Sequence, residues 1–120
     1  MVLTSADIGI YRMTENKTFG QIIREKRQEL GISQKELASK IEKEDGSSIS
    51  PQYENDIEFD RRDAPSEDMI RQYAKILGLH VDALLLAAGK VPDELRHFAA
   101  RSPEKAQQVF QAFRKKSQEE

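Results

Sequence analysis

Three side chains that can both donate and accept hydrogen bonds, or accept them strongly, lie within one short segment of the chain. The segment Ser50–Glu58 contains Gln52, Asn55 and Asp56. Glutamine and asparagine amides can bond bidentately to adenine, and a carboxylate can accept a hydrogen bond from the amino group of cytosine. The same side chains are also common on the solvated faces of helices. Residue types alone favour that simpler interpretation, so the surrounding elements must decide.

Residues typical of catalysis or metal binding do not form a set. His80 and His97 are separated by predicted helices, and the chain has no cysteine. A metal site or a nucleophilic triad would need further ligands or an orienting partner near one of them. Neither a P-loop nor a Gly-x-Gly-x-x-Gly motif occurs. We therefore expect no enzymatic activity, no cofactor and no metal.

Composition predicts a small globular protein. The chain has 120 residues, of which 38% are hydrophobic and 33% charged. This suits one compact domain with a short appendage. The longest apolar run, residues 83–88, is too short to span a membrane, and no secretion signal is expected at the start. With no disulfide possible, we expect a cytoplasmic protein.

The charge is unevenly distributed. The net charge of −2 disfavours a protein that coats nucleic acid without specificity. Residues 17–41 contain six basic and three acidic side chains, whereas residues 42–60 contain seven acidic side chains and one basic. Arg61 and Arg62 follow directly. A specific DNA-binding protein remains compatible with this pattern, because the local charge decides.

Helix-start and helix-stop signals predict an all-helical chain. Thr18 with Gln21, and Ser33 with Glu36, have the spacing of a capping box, and later helices begin at serine or proline. Residues 1–16 are predicted to be an extension. The alternative for this segment is a short strand that contains Val2, Ile8 and Ile10. The predicted helices are Thr18–Leu30, Ser33–Ile41, Ser50–Glu58, Ser66–Leu77, Val81–Ala88, Pro92–Arg101 and Pro103–Lys116.

The order of these elements closely resembles the Cro/CI-type (XRE, lambda-repressor-like) helix-turn-helix family. The resemblance covers roughly residues 18–89 and implies a five-helix DNA-binding domain over 17–89. The two additional helices predicted in 90–120 lie outside it. The matching residues are Arg27, Leu30-Gly31-Ile32-Ser33-Gln34, Glu36-Leu37-Ala38, Ile57-Glu58, Leu77-Gly78-Leu79 and Leu84-Leu85.

The resemblance also implies roles for individual residues. Ser50–Glu58 becomes the recognition helix, which enters the major groove, and Ser33–Ile41 the helix that supports it. Base contacts then come from Gln52, Asn55 and Asp56. Arg27 and Glu58 match positions that form a structural ion pair. Gln34 matches a position that contacts phosphate, and the further candidate phosphate contacts are Lys35, Lys40, Ser50, Tyr53, Arg61 and Arg62. The alternative for Arg61 and Arg62 is a solvated pair in a loop.

Three features depart from the family pattern. The turn at 42–49 is longer than usual and either reaches along DNA or is a surface insertion without a role. Glu54 occupies a position that is usually aliphatic, so it must find a partner or the recognition helix must rotate. A buried, unpaired carboxylate would cost several kcal/mol or stay protonated. Phe59-Asp60 replaces the usual Asn-Gly, so that turn is expected to differ.

The family resemblance implies a transcriptional regulator, and we expect a repressor that binds double-stranded DNA as a homodimer on a palindromic operator. Phe98, Val109, Phe110 and Phe113 are expected to form the dimer interface, although they could instead complete the monomer core. The alternative function is an antitoxin or protein-interaction module with weak or no DNA binding, which would have a partner protein.

Overall fold

The computed structural model describes residues 17–119, and within that range it contains seven helices. This confirms the all-helical fold, with a five-helix lambda-repressor-like domain and two further helices. The possible strand at Val2, Ile8 and Ile10 lies outside the described residues. The helices are α1 (Phe19–Glu29), α2 (Gln34–Ala38), α3 (Pro51–Glu58), α4 (Glu67–Leu77), α5 (Val81–Ala87), α6 (Asp93–Arg101) and α7 (Pro103–Gln118).

The chain divides into two compact units, of which the first ends at Gly89 and the second begins at Lys90. The first unit holds α1 to α5 around one hydrophobic core. Each of these helices contributes buried side chains, and the largest fully buried apolar ones are Ile23, Leu37, Ile41, Ile57, Ile70, Tyr73, Leu77 and Leu85. The Phe19 ring packs edge-on against Tyr73 with the ring centroids 6.1 Å apart. Leu30, which helical spacing places on the apolar stripe of α1, is its C-cap residue and is 47% exposed.

Local capping fixes where the first four helices begin. Thr18 and Gln21 form the predicted capping box at α1, and Ser33 and Glu36 form the one at α2. The hydroxyl of Ser50 accepts a hydrogen bond from the Tyr53 N–H at the start of α3. Ser66 caps α4 in the same way. Each cap satisfies a backbone donor that has no partner inside its helix.

The long turn between α2 and α3 is a small ordered hairpin. Glu42 and Ser48 form an isolated antiparallel bridge, and the Lys43 N–H donates to the Ser47 carbonyl at 2.8 Å. At its base, Ile41 and Ile49 are buried in the core. The side chain of Gln72, on α4, bonds both the N–H and the carbonyl of Glu42. The insertion therefore leaves the two flanking helices in place on the core.

The start of α1 lies directly against the end of α3. A Cβ on Gly20 would stand 2.3 Å from the Ile57 carbonyl oxygen and 2.7 Å from that of Glu58. Asp60 then turns the chain with φ of +55°. Its carboxylate accepts from the Thr18 hydroxyl at 2.6 Å and from the Gly20 N–H at 3.2 Å. Asp60 thus replaces the family's turn glycine and also caps α1.

In the second unit, α6 and α7 pack against each other. Ala106 is buried and Phe98 is half-buried. Further along α7, Val109, Phe110 and Phe113 are 49%, 45% and 62% exposed. Their spacing places them on one stripe of the helix. We call these three residues the α7 stripe.

Candidate nucleic-acid interface

The predicted base-contacting residues lie on the side of α3 that faces away from the core. Glu54, Ile57 and Glu58 form its buried face. Gln52 is exposed, and Asn55 and Asp56 are half-buried at its edges. The position of α3 therefore leaves these three polar side chains at or near the surface.

Polar contacts fix α3 against α2 and α1. The Gln34 side-chain amide, at the first residue of α2, donates to Asn55 Oδ1 and to Glu58 Oε1, both at 3.0 Å. Arg27, on α1, forms a bidentate ion pair with Glu58 at 2.7 and 3.0 Å. It also donates to the Ile32 carbonyl at 2.9 Å. The two helices of the helix-turn-helix are therefore held in register by one connected network.

The network changes what Asn55 can offer a base. Its carbonyl oxygen already accepts from Gln34, so its N–H groups are the part left for another partner. A bidentate bond to adenine uses both the oxygen and the N–H group of the amide. That contact would therefore require Gln34 to release Asn55 or to share its oxygen.

Asp56 is also engaged within the protein. Its Oδ1 accepts from the Gln52 amide at 2.9 Å and from the Arg61 guanidinium at 3.1 Å. Only 26% of the Asp56 side chain is exposed. A cytosine amino group would therefore have to compete with these donors or use the other carboxylate oxygen.

Arginine side chains lie over two aromatic rings, the half-buried Tyr53 in the first turn of α3 and the exposed Phe59 just after the helix. The Arg62 guanidinium carbon lies 3.9 Å from the Tyr53 ring centroid. The corresponding carbons of Arg24 and Arg61 lie 4.6 and 5.4 Å from the centroid of Phe59. The predicted phosphate-contacting residues did not include Arg24 or Phe59. The only signal in the sequence that points to this pair is Phe59 itself, an aromatic residue at a position where the family usually has asparagine.

The other predicted phosphate-contacting residues are at or near the surface. Lys35 and Lys40 are exposed, and within the described chain neither has a carboxylate oxygen within 4.0 Å. The Ser50 hydroxyl is already used as the α3 cap, but it can still donate its proton. The Tyr53 hydroxyl contacts the Met69 sulfur at 3.8 Å.

Glu54 has found a partner inside the core. It is fully buried, and the Tyr73 hydroxyl donates to its Oε1 at 2.6 Å. Burial, followed by the neighbouring Glu58 carboxylate, raises the pKa of Glu54 to about 9, although Tyr73 and Arg27 act in the opposite direction. Glu54 is thus neutral at pH 7. Within residues 17–119 no group donates a hydrogen bond to Glu54 Oε2, as expected for an oxygen that carries the proton.

Glu58 remains charged beside its neutral neighbour. Burial acts to raise its pKa, but hydrogen bonds from Arg27, Glu54 and Gln34 hold the pKa below the ordinary value. The pKa of the Tyr73 phenol is raised by burial and by Glu54, so this group stays a donor. The core beneath α3 therefore contains one neutral carboxyl, one carboxylate and one arginine.

A metal site would need several His, Cys, Asp or Glu side chains grouped together within residues 17–119. No group of His, Cys, Asp or Glu side chains there is arranged to hold a metal ion. His80 precedes α5 as its N-cap residue without a side-chain cap bond, and His97 is exposed on α6. In the same range, no helix combines the length and apolar character needed to cross a membrane.

Comparison with known proteins assigns the family. A family model described as helix-turn-helix matches residues 23–84, slightly more than half of the chain. No curated protein and no solved structure matches the chain significantly. The matched segment runs from within α1 into α5 and includes α2, α3 and the network between them. The chain therefore belongs to the Cro/CI-type (XRE) helix-turn-helix family, a family of DNA-binding regulators that are typically not enzymes.

Proposed function

We propose that this protein is a transcriptional repressor that acts in the cytoplasm as a homodimer on a palindromic operator. The observation that carries the proposal is the locked arrangement of α2 and α3. Gln34 and the Arg27–Glu58 pair hold α3 while Gln52, Asn55 and Asp56 face away from the core. Direct readout of bases needs a helix that fits the major groove and carries polar side chains that are already ordered before binding. Repression then requires only that the bound protein occludes its site.

The proposed contacts divide by role. Gln52, Asn55 and Asp56 read bases, and the surrounding residues contact phosphates and fix the register of α3 in the groove. The stacked guanidinium groups are well suited to phosphate, because a planar donor fork can bind two oxygens at once. The proposed phosphate contacts are Gln34, Lys35, Lys40, Ser50, Tyr53, Arg61 and Arg62.

Replacing Gln52 by alanine is expected to relax sequence preference at one or two base pairs and to weaken binding to the preferred site by about 1–3 kcal/mol. Asn55→Ala should do the same at a different position. The measurement is selection of bound duplexes from a random library, followed by titration of the preferred site and of single-base variants.

Lys75→Ala provides the control for base reading, because Lys75 is an exposed residue of α4. It should leave the selected sequence unchanged. If Gln52→Ala and Asn55→Ala weaken binding to every duplex equally, these residues contact only the backbone. Failure of the wild-type chain to select any sequence would overturn the proposed function itself.

We propose a homodimer because one recognition helix contacts too few base pairs. A single recognition helix contacts a few base pairs, too few to define a unique genomic site, so two copies about 34 Å apart on a palindrome are needed. The α7 stripe offers three exposed apolar side chains, Val109, Phe110 and Phe113, in a row. Exposed apolar patches of this kind mark interaction surfaces. We place the dimer interface there, together with Phe98.

Truncation after Gly89 is expected to leave a folded, monomeric domain that binds a half-site weakly and loses cooperative binding to the palindrome. Among the described residues, those of the core cluster of the first unit lie within positions 19–88, which supports independent folding. Circular dichroism measures folding, and sedimentation equilibrium measures the oligomeric state of the truncated and full chains.

A matched pair of full-length variants tests the α7 stripe directly. Phe113 and Leu86 are each 62% exposed, so Phe113→Ser and Leu86→Ser remove apolar surfaces of equal fractional exposure. Only Phe113→Ser should weaken the dimer. Dimerisation of the truncated domain with undiminished affinity would place the interface elsewhere. Unfolding of that domain would assign the C-terminal aromatic residues to the monomer core.

A second candidate function is favoured by the same stripe. An exposed apolar helix face also suits a partner protein, as in an antitoxin. A full-length chain that is monomeric in sedimentation but binds its operator would favour this function over the homodimer.

A further inference from the structure

We propose that Arg24 is an additional DNA-backbone contact and that the exposed Phe59 ring positions it. Arg24, Phe59 and Arg61 would then form one phosphate-binding group at the C-terminal end of α3, which we call the Phe59 cluster. The inference rests on the proposed binding of double-stranded DNA. It extends the interface to α1, which supplied no predicted phosphate contact.

The geometry of the cluster is specific. Phe59 is 49% exposed and carries guanidinium groups from two distant parts of the chain, with Arg24 4.6 Å and Arg61 5.4 Å from its centroid. One Arg24 nitrogen, Nη1, also donates to the Glu58 carbonyl oxygen at 3.0 Å. That carbonyl belongs to the last residue of α3, where the helix dipole favours a positive charge.

The charge balance leaves Arg24 available to an anion. Arg61 is paired with Asp56 at 3.1 Å. In the part of the chain that the structure describes, no carboxylate oxygen lies within 4.0 Å of the Arg24 or Arg62 nitrogens. The nearby Asp60 carboxylate is bonded to Thr18 and Gly20. A five-donor guanidinium that uses one hydrogen bond and one ring face retains donors for phosphate.

The cluster is connected to the proposed base-reading face by direct contacts. Gln52 bonds Asp56, Asp56 bonds Arg61, and Arg61 lies over Phe59, whose ring also carries Arg24. When α3 occupies a major groove about 12 Å wide, cations beyond its end come close to the phosphates that border the groove. The aromatic ring orders the arginines before binding, which reduces the entropy lost when phosphate is contacted.

The experiment measures the dissociation constant of the full chain for a mixed-sequence duplex over a range of salt concentrations. Such a duplex reports phosphate contacts independently of base reading. Arg24→Gln should make the log–log salt slope shallower by about 0.9, the value for one lost phosphate contact, relative to the wild type. Arg24→Lys should largely restore the slope, because it keeps the charge. Arg101→Gln, an exposed arginine of α6, is the matched control for loss of one charge.

Phe59→Leu separates positioning from charge and provides a second test if Arg24→Gln disturbs folding. It removes the ring but no charge, so we expect binding to weaken several-fold with the melting temperature of the free protein nearly unchanged. Equal slopes for Arg24→Gln and Arg101→Gln, or wild-type affinity for Phe59→Leu, would overturn the inference while leaving the proposed function intact. A wild-type chain that binds no duplex at low salt would overturn both.

Discussion

Gly20→Ala is expected to lower the free energy of unfolding by about 3 kcal/mol or more, a large fraction of the stability of a small domain. The new Cβ would stand 2.3 Å from the Ile57 carbonyl oxygen and 2.7 Å from that of Glu58. Both are backbone atoms of α3, so no side-chain rotation relieves the overlap. Moving α3 away would strain the Arg27–Glu58 ion pair, which is nearly inaccessible to water.

The direction of this change is diagnostic. In an unobstructed helix, alanine is favoured over glycine by about 1 kcal/mol, so an open position 20 would make the variant more stable. Gly31→Ala is the control, since Gly31 has φ of +74° and open space around its Cα. It should cost only about 1–2 kcal/mol, for left-handed backbone. Urea denaturation of both variants measures the difference, and a Gly20→Ala protein as stable as the wild type would contradict the packing described above.

Signals confined to a few residues were sufficient to predict the helices. Thr18 with Gln21 and Ser33 with Glu36 stand three residues apart, so each capping box is legible in the sequence and is present in the structure. The same holds for Ser50 before Pro51 at the start of α3. The order of these helices along the chain then carried the family resemblance. The resemblance implies how the helices pack, which local signals alone do not determine.

Local sequence signals could not predict the contacts that shape the interface, because each contact joins two residues that are far apart in the sequence. Asp60 bonds Thr18 across 42 positions, and Arg24 reaches the Glu58 carbonyl across 34. The sequence left Asp60 as an unexplained substitution, although its carboxylate does what a turn glycine cannot. Likewise, no local signal links Tyr73 to Glu54, 19 positions earlier, although the Tyr73 hydroxyl is the partner that Glu54 required.

The burial of Glu54 against Tyr73 makes the stability of the protein depend on pH. The protein is expected to lose stability as pH rises from about 5 to about 9. The folded pKa of Glu54, about 9, lies above its ordinary value of 4.5, so in this window the folded state holds a proton that the unfolded state has released. Stability is then fully present below the ordinary pKa and falls by about 1.4 kcal/mol per pH unit. Glu58, whose pKa is lowered, has the opposite effect at more acidic pH.

Glu54→Gln should abolish most of this dependence and make the protein more stable than the wild type at pH 8, by several kcal/mol on the same slope. The glutamine carbonyl can still accept from Tyr73, and its amide can donate to Glu58, so the neutral carboxyl is copied without a proton to lose. Glu58→Gln, which instead removes the charge opposite Arg27, is the contrasting variant and should destabilise at the same pH. Urea denaturation from pH 5 to 9 measures all three proteins. Parallel pH profiles for the wild type and Glu54→Gln would contradict the raised pKa of Glu54. They would mean that Glu54 is ionised in the folded core and that Arg27 alone balances the charges of Glu54 and Glu58.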